Sequence, residues 1–133
     1  MNALIYSLLI LSLVSSLPAQ SIATRLIPPG LTTDSRLGIS SRSLAVGGGK
    51  VAVGAPYHGT SGAVFIFDEK TGKHLFTLDQ AANPNISLFG WSVAISRHRL
   101  IVGAPWSSSL AGAKTGAAFV YDLRSEERRV GKE

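Results

Sequence analysis

The stretch Leu100–Asp122, LIVGAPWSSSLAGAKTGAAFVYD, repeats an earlier part of the chain, Val51–Asp68, which reads VAVGAPYHGTSGAVFIFD. A shift of 49 residues places the first Gly-Ala-Pro on the second, and a shift of 54 aligns the apolar segments that follow. The extra residues of the second copy all lie in one segment after its Gly-Ala-Pro. Length that varies in one segment while its flanks keep register is typical of a loop on a rigid scaffold. Such a repeat indicates a fold built from stacked units.

Each copy has the pattern of short β-strands, without a sustained helical period. Residues 43–46 and 51–54 are apolar and β-branched, and the glycines between them allow a tight hairpin. Gly-Ala-Pro ends the second strand, because proline lacks the backbone donor that a sheet requires. Residues 63–67 predict a third strand buried on both faces, and residues 74–79 predict a fourth. We therefore expect no substantial helix beyond the N-terminal segment.

Four short antiparallel strands that recur every 49 residues match the blade of a β-propeller, in which four-stranded sheets are arranged radially. The predicted fold class is all-β, a partial β-propeller of about two four-stranded antiparallel blades. The alternative is a β-sandwich with a chance internal similarity. Three blocks match in the same order and argue against that alternative: residues 43–46 with 92–95, residues 50–56 with 99–105, and residues 62–68 with 116–122.

Phe89-Gly90 precedes the strands of the second copy, and Gly103-Ala104-Pro105 ends the second of these strands. With these motifs the second copy resembles the FG-GAP repeat, the blade of the integrin α-subunit propeller and of many secreted bacterial proteins. The first copy departs from the pattern, since serines stand opposite the Phe-Gly dipeptide and the nearest candidate is Leu37-Gly38. We predict blade 1 over residues 37–87 and an incomplete blade 2 over residues 88–123. The residues that match the structural motif are Gly54, Ala55, Pro56, Phe89, Gly90, Gly103, Ala104 and Pro105.

The N-terminus carries a targeting signal. Residues 4–14 are an apolar run without charge, followed by small and polar residues, so residues 1–19 predict a signal peptide cleaved after Ala19. The alternative is a buried N-terminal helix, and the run is short for a membrane span. We expect a secreted, periplasmic or cell-surface protein with no membrane span. Residues 20–36 are then a linker that contains a candidate ring-closing strand at Arg25–Ile27.

The last ten residues, 124–133, break the repeat. The first copy continues into a turn and a fourth strand, whereas seven of these ten residues are charged. The run predicts a solvated tail, and it also resembles a translated sequencing-adapter read-through. On that interpretation the chain is a fragment, and its partners include further blades of its own full-length chain, since a repeat unit needs neighbours to bury its faces.

The composition argues against several classes of function. Without cysteine there is no disulfide or thiolate site, and the net charge of +5 is not organised with aromatics as a nucleic-acid partner requires. His58, His74 and His98 lack the spacing of metal ligands, and no phosphate loop or nucleophile elbow is present. We predict a chain that is not an enzyme and has no catalytic residues, metal or cofactor.

The resemblance raises the question of calcium, which many FG-GAP repeats bind in the hairpin between strands one and two. The corresponding loops here, Gly47–Lys50 and Ser96–Arg99, contain no carboxylate, so the expected variety is calcium-free. Asp68 and Asp122 occupy equivalent strand ends, where aspartate accepts backbone hydrogen bonds in a turn.

The loops that follow each Gly-Ala-Pro lie, by the resemblance, on the face that binds ligand in integrins. Tyr57, His58 and Trp106 are therefore candidate ligand-binding residues for an unknown extracellular protein or glycan. The competing interpretation, which the sequence favours, packs Tyr57 and Trp106 between the blades and places Trp91 in the core. The predicted function is a non-enzymatic extracellular binding or scaffold module. The alternatives are the accessory propeller of a larger secreted hydrolase and a carbohydrate-binding propeller.

Overall fold

The computed structural model describes residues 24–109 and 112–131. Two antiparallel sheets and one short helix form the regular structure of these residues. The predicted signal peptide lies outside these ranges. The first sheet, blade 1, has four strands in chain order: β1 (Leu44–Gly47), β2 (Lys50–Ala55), β3 (Ala63–Asp68) and β4 (His74–Asp79). The second sheet, blade 2, has three: β5 (Ser92–Ser96), β6 (Arg99–Ala104) and β7 (Ala117–Asp122). The all-β prediction of two blades, the second incomplete, is confirmed.

The predicted hairpins form because their turn residues adopt the left-handed conformation. In blade 1 the turn between paired Gly47 and Lys50 has Gly48 at φ 59° and Gly49 at φ 74°. In blade 2 the equivalent turn places Arg97 at φ 55°, a conformation that costs a side-chain-bearing residue more than a glycine.

The main hydrophobic core lies between the two blades. The forward face of blade 1, which we define by Ala52, Val64, Ile66, Phe76 and Leu78, packs against the rear face of blade 2. That rear face includes the buried residues Val93, Leu100, Val102 and Ala104, with Phe119 and Tyr121 partly buried beside them. Burial of these apolar faces against each other is the main stabilising contribution to the pairing of the blades.

The rear face of blade 1 is covered by the segment that precedes it. Phe65 and Phe67 are 1% and 0% exposed, and Leu26 and Leu37 pack against their cluster. Strand β3 is therefore buried on both faces, as its uninterrupted apolar run predicts. Residues 25–27 are not in a β-strand, so the predicted strand Arg25–Ile27 is not formed in this structure. The prolines that follow it lack the backbone donors of a sheet ladder.

The expectation of no helix is wrong for helix α1 (Leu123–Val130). Asp122 caps it by accepting a hydrogen bond from the backbone N–H of Arg124, and Arg129 pairs with Glu126 at 2.7 Å. Leu123, at the start of the helix, is fully buried in the core between the blades. The first residue of the helix thus packs in the core. The rest of the helix is stabilised by its N-cap and by the i,i+3 ion pair, since it has no apolar stripe to bury.

The imidazole of His74 gives the fold a pH dependence. Its ring centroid lies 6.1 Å from that of Phe65 and 5.6 Å from that of Phe67, and its Nε2 lies 3.0 Å from the Thr77 hydroxyl. Burial lowers its pKa below the ordinary 6.5. The unfolded chain therefore binds a proton at a higher pH than the folded chain does, and stability falls as the pH drops below about 6.5.

We expect the Tm to fall between about pH 7.5 and 5.5, and we expect His74→Gln to reduce this fall, because glutamine does not titrate there. Thermal unfolding followed by circular dichroism across that range measures both proteins. Identical pH profiles for the wild type and the variant would contradict this role for His74.

Candidate functional site

The two blades interlock through the residues of the predicted motif. Phe89 of the segment entering blade 2 forms a parallel bridge with Gly62, and its N–H donates to the Ser61 carbonyl oxygen at 2.8 Å. The backbone of Gly90 lies so close to Gly54 that a Cβ on Gly54 would overlap the Gly90 carbonyl oxygen. The Phe-Gly dipeptide of one blade thus sits on the Gly-Ala-Pro of the other.

A backbone hydrogen bond that recurs in both blades identifies the Phe-Gly equivalent of blade 1. The N–H of Gly90 donates to the Gly103 carbonyl oxygen at 3.2 Å, and the N–H of Gly38 donates to the Gly54 carbonyl oxygen at 2.8 Å. Leu37-Gly38 therefore occupies the position of Phe89-Gly90, as the sequence comparison suggested. Leu37 packs against the rear face of blade 1, and Phe89 packs in the core between the blades.

A cleft of about 360 Å³ opens at this junction, where the loops after both Gly-Ala-Pro segments meet the segment that enters blade 2. Three aromatic side chains line it, one from each segment: Tyr57, Trp106 and Trp91. Thr60 and Ser87 add hydroxyl groups to the lining. A concave, largely apolar site with a few polar groups is the usual form of a small-ligand site.

The aromatic rings of the cleft are open to solvent. Tyr57 is 41% exposed, Trp91 38% and Trp106 59%. The expectation that Tyr57 and Trp106 pack between the blades, with Trp91 in the core, is therefore wrong. Phe89, which is 0% exposed, fills the core between the blades instead. The rings of Phe119 and Tyr121 stand edge-on to it, with centroids 5.4 and 6.2 Å away.

Backbone contacts hold the walls of the cleft together. The N–H of Ser87 donates to the hydroxyl of the buried Ser107 at 3.1 Å, and the N–H of Ser108 donates to the Asn85 carbonyl oxygen at 2.8 Å. Leu88, in the cleft lining, has φ 58°, a conformation that is rare for a residue with a side chain. These hydrogen bonds join the loop that carries Trp106 to the segment that leads to Trp91, and they hold the backbone beneath the two indoles together.

Two cations lie over aromatic rings that line the cleft. The guanidinium of Arg36 lies 4.7 Å from the centre of the Tyr57 ring, and the ammonium of Lys114 lies 5.1 Å from the Trp106 ring. Within residues 24–109 and 112–131, neither cation takes part in an ion pair, and no carboxylate lines the cleft. The electrostatic environment therefore suits an uncharged or anionic ligand.

His58, the third candidate from the sequence, does not line the cleft. Its Nδ1 lies 3.0 Å from the Ser35 hydroxyl, and its ring stands edge-on to Phe65 at 5.3 Å. It fixes the loop that carries Tyr57 to the segment covering blade 1. Sequence reasoning missed Trp91, Thr60 and Ser87 as lining residues, although Trp91 follows Phe-Gly directly.

The repeated aspartates have the turn role that their positions predict. The Asp68 carboxylate accepts hydrogen bonds from the N–H groups of Lys70 and Thr71, and Asp122 accepts one from Arg124. The bonds from the backbone and hydroxyl of Thr71 lower the pKa of Asp68 below its ordinary 3.8.

Among the residues that the structure describes, no three His, Asp or Glu side chains come close enough together to hold a metal ion. No helix in the same part of the chain has the length and apolar character to cross a membrane.

Antiparallel blades that interlock through Phe-Gly and Gly-Ala-Pro define a propeller-type repeat protein. The family model for the FG-GAP repeat matches residues 79–121, from the last residue of β4 to Tyr121 of β7, and this part of the chain is an FG-GAP repeat. This match includes Ser87, Trp91 and Trp106 of the cleft. No curated protein and no solved structure matches the chain.

Proposed function

We propose that this protein is a non-enzymatic extracellular binding module and that the aromatic cleft is its ligand site. The observation that carries the proposal is the convergence of Tyr57, Trp91 and Trp106, from three separate segments, on one solvent-open cleft. Large exposed aromatic side chains that share a concave surface are typical of binding sites. The signal-peptide pattern of residues 1–19 supports the extracellular location.

A glycan is the ligand class that the lining fits best. Indole and phenol rings offer flat apolar surfaces on which the C–H face of a sugar ring can pack. The hydroxyls of Thr60 and Ser87 can hydrogen-bond to sugar hydroxyls. Arg36 and Lys114, which lie over the Tyr57 and Trp106 rings, can pair with an acidic sugar. The cleft that these aromatics line, about 360 Å³, leaves room for a ligand between them.

We expect Trp106→Ala to weaken glycan binding by about 30-fold, the loss of about 2 kcal/mol usual for a central aromatic contact. The experiment screens the chain against immobilised neutral and uronate-containing oligosaccharides and titrates the best binder by calorimetry. Val120→Ala is the matched control, because it removes an exposed apolar side chain outside the cleft.

Binding that survives in Trp106→Ala would place the ligand elsewhere. If no glycan binds, but extracellular proteins bind in a way that depends on Trp106, the cleft remains the site and the glycan assignment is wrong.

A further inference from the structure

Each blade carries a cation over the aromatic residue that directly follows its Gly-Ala-Pro. The guanidinium of Arg36 lies 4.7 Å from the centre of the Tyr57 ring, and the ammonium of Lys114 lies 5.1 Å from that of Trp106. Tyr57 and Trp106 both line the cleft, so each of these two walls has a positive charge beside it. The face of an aromatic ring attracts a cation, and this attraction favours the observed positions of the two charges.

The two cations come from different positions of the repeat. Arg36 precedes Leu37-Gly38, and the residue that precedes Phe89-Gly90 in the same way is Leu88. Arg36 and Leu88 share a left-handed backbone, with φ 50° and 58°, but leucine carries no charge. The cation of blade 2 comes instead from the loop of residues 106–115, which is longer than its counterpart in blade 1. Two different parts of the sequence thus supply a cation to the same kind of aromatic residue.

A short turn fixes Arg36 beside Tyr57. The hydroxyl of the buried Ser35 lies 3.0 Å from Nδ1 of His58, and it accepts a hydrogen bond from the N–H of Thr32, also at 3.0 Å. Ser35 is the neighbour of Arg36 along the chain, and His58 is the neighbour of Tyr57. The contact between Ser35 and His58 therefore holds the two backbones together beneath the guanidinium and the phenol ring.

The loop that carries Trp106 also fixes Lys114. Ser108 and Lys114 form an antiparallel bridge, and the N–H of Ser109 donates to the Ala113 carbonyl oxygen at 2.8 Å. The chain thus folds back on itself between the indole and the ammonium group, which keeps the two ends of the loop close together.

Neither cation is neutralised by a carboxylate of the described residues. Within residues 24–109 and 112–131, the ion pairs do not include Arg36 or Lys114, and Asp34, two residues before Arg36, does not reach ion-pair distance. All acidic residues of the chain except Glu133 lie in these ranges. Both cations are exposed, so an anionic group of a ligand can reach them.

We propose that Arg36 and Lys114 are the specificity-determining residues of the cleft and that its ligand is an anionic glycan, with a carboxylate or a sulfate ester. The inference rests on the proposed function, in which the cleft binds a glycan. The sugar rings pack on the aromatic side chains, and the oxyanion accepts charge-assisted hydrogen bonds from the guanidinium or the ammonium. A neutral sugar of the same shape lacks these bonds and binds more weakly.

Ligand pairs that differ in charge test the proposal. Calorimetry with the chain compares an oligogalacturonate with its methyl ester, and a sulfated galactan oligosaccharide with its desulfated form. We expect at least one acidic ligand to bind about 20-fold more tightly than its neutral partner, the effect of two exposed charge pairs. This preference should shrink as added salt screens the charges. The pair that shows the preference identifies the anion as a carboxylate or a sulfate.

Arg36→Gln and Lys114→Gln should each reduce the preference about fivefold and leave the binding of the neutral ligand nearly unchanged. Arg36→Lys, which keeps the charge, should retain most of the preference. Arg97→Gln is the matched control and should have no effect. Arg97 is also an exposed arginine with a left-handed backbone, φ 55°, but it lies outside the cleft.

The outcomes separate this inference from the proposed function. If the cations only hold the aromatic rings in place, the glutamine variants will weaken acidic and neutral ligands equally, and the proposal is overturned. Acidic and neutral ligands that bind the wild type equally, through Trp106, would also overturn it, although the cleft would remain a glycan site. If no oligosaccharide of either kind shows saturable binding, both the inference and the glycan assignment are wrong.

Discussion

Gly54→Ala is expected to separate the two blades and to cost about 3 kcal/mol or more of folding free energy, at the upper end for overpacking. The new Cβ would overlap the Gly90 carbonyl oxygen and lie 2.9 Å from its carbon. Both are backbone atoms, so no side-chain rotation relieves the contact, and the blades must move apart. Urea unfolding monitored by tryptophan fluorescence measures the loss.

The matched control is Gly103→Ala, the same substitution at the same motif position of blade 2. Its Cβ would contact the Ser92 hydroxyl, the end of a side chain that can rotate away. We therefore expect a cost of about 1 kcal/mol or less. Equal costs for the two variants would show that the close approach of Gly54 to Gly90 contributes little to the junction between the blades.

Phe89→Ala is expected to cost about 3–5 kcal/mol, the usual range for removal of a buried phenylalanine. The ring is 0% exposed, and it contacts the rings of Phe119 and Tyr121 edge-on in the core that joins the blades. A domain of this size has a total stability of about 5–15 kcal/mol, so the variant will be largely unfolded under mild denaturation. The midpoint in urea and the Tm both report the effect.

Leu37→Ala is the control for Phe89→Ala, because Leu37 has the same position in blade 1. Leu37 is only partly buried, against the rear face of that blade. We expect a smaller cost, about 1–2 kcal/mol. A larger cost for Leu37→Ala than for Phe89→Ala would contradict the view that the inter-blade core is the main source of stability.

The sequence predicted the elements that depend on neighbouring residues. Alternating and continuous apolar runs located the strands, and the glycines at 48 and 49 located the first hairpin. Asp68 and Asp122 show the limit of such local patterns. Both accept backbone hydrogen bonds directly after a strand, yet one begins a turn that leads to a fourth strand and the other begins a helix. Each aspartate accepts backbone hydrogen bonds in the same way, and the residues that follow it decide whether a strand or a helix comes next.

The cleft was predicted in part. Tyr57 and Trp106 stood out because each directly follows a Gly-Ala-Pro, and both line the cleft. Trp91 was assigned to the core and His58 to the ligand face, whereas in the structure Trp91 lines the cleft and His58 lies outside it, beside Ser35 and Phe65. Their placement depends on which side chain fills the junction between the blades, and a sequence pattern within one blade carries no information about that choice.

By itself, the sequence determined the repeat, the strands of each blade and the hairpins, because these follow from the period of apolar residues and from turn chemistry within a few positions. Only the tertiary structure decided that Gly54 receives Gly90, that three aromatics converge on one cleft, and that the forward face of blade 2 stays exposed. The first two features join segments that are distant along the chain, and the third depends on which face of blade 2 packs on blade 1. Their contact is set by how two complete sheets pack, and this packing requires both sheets to exist first.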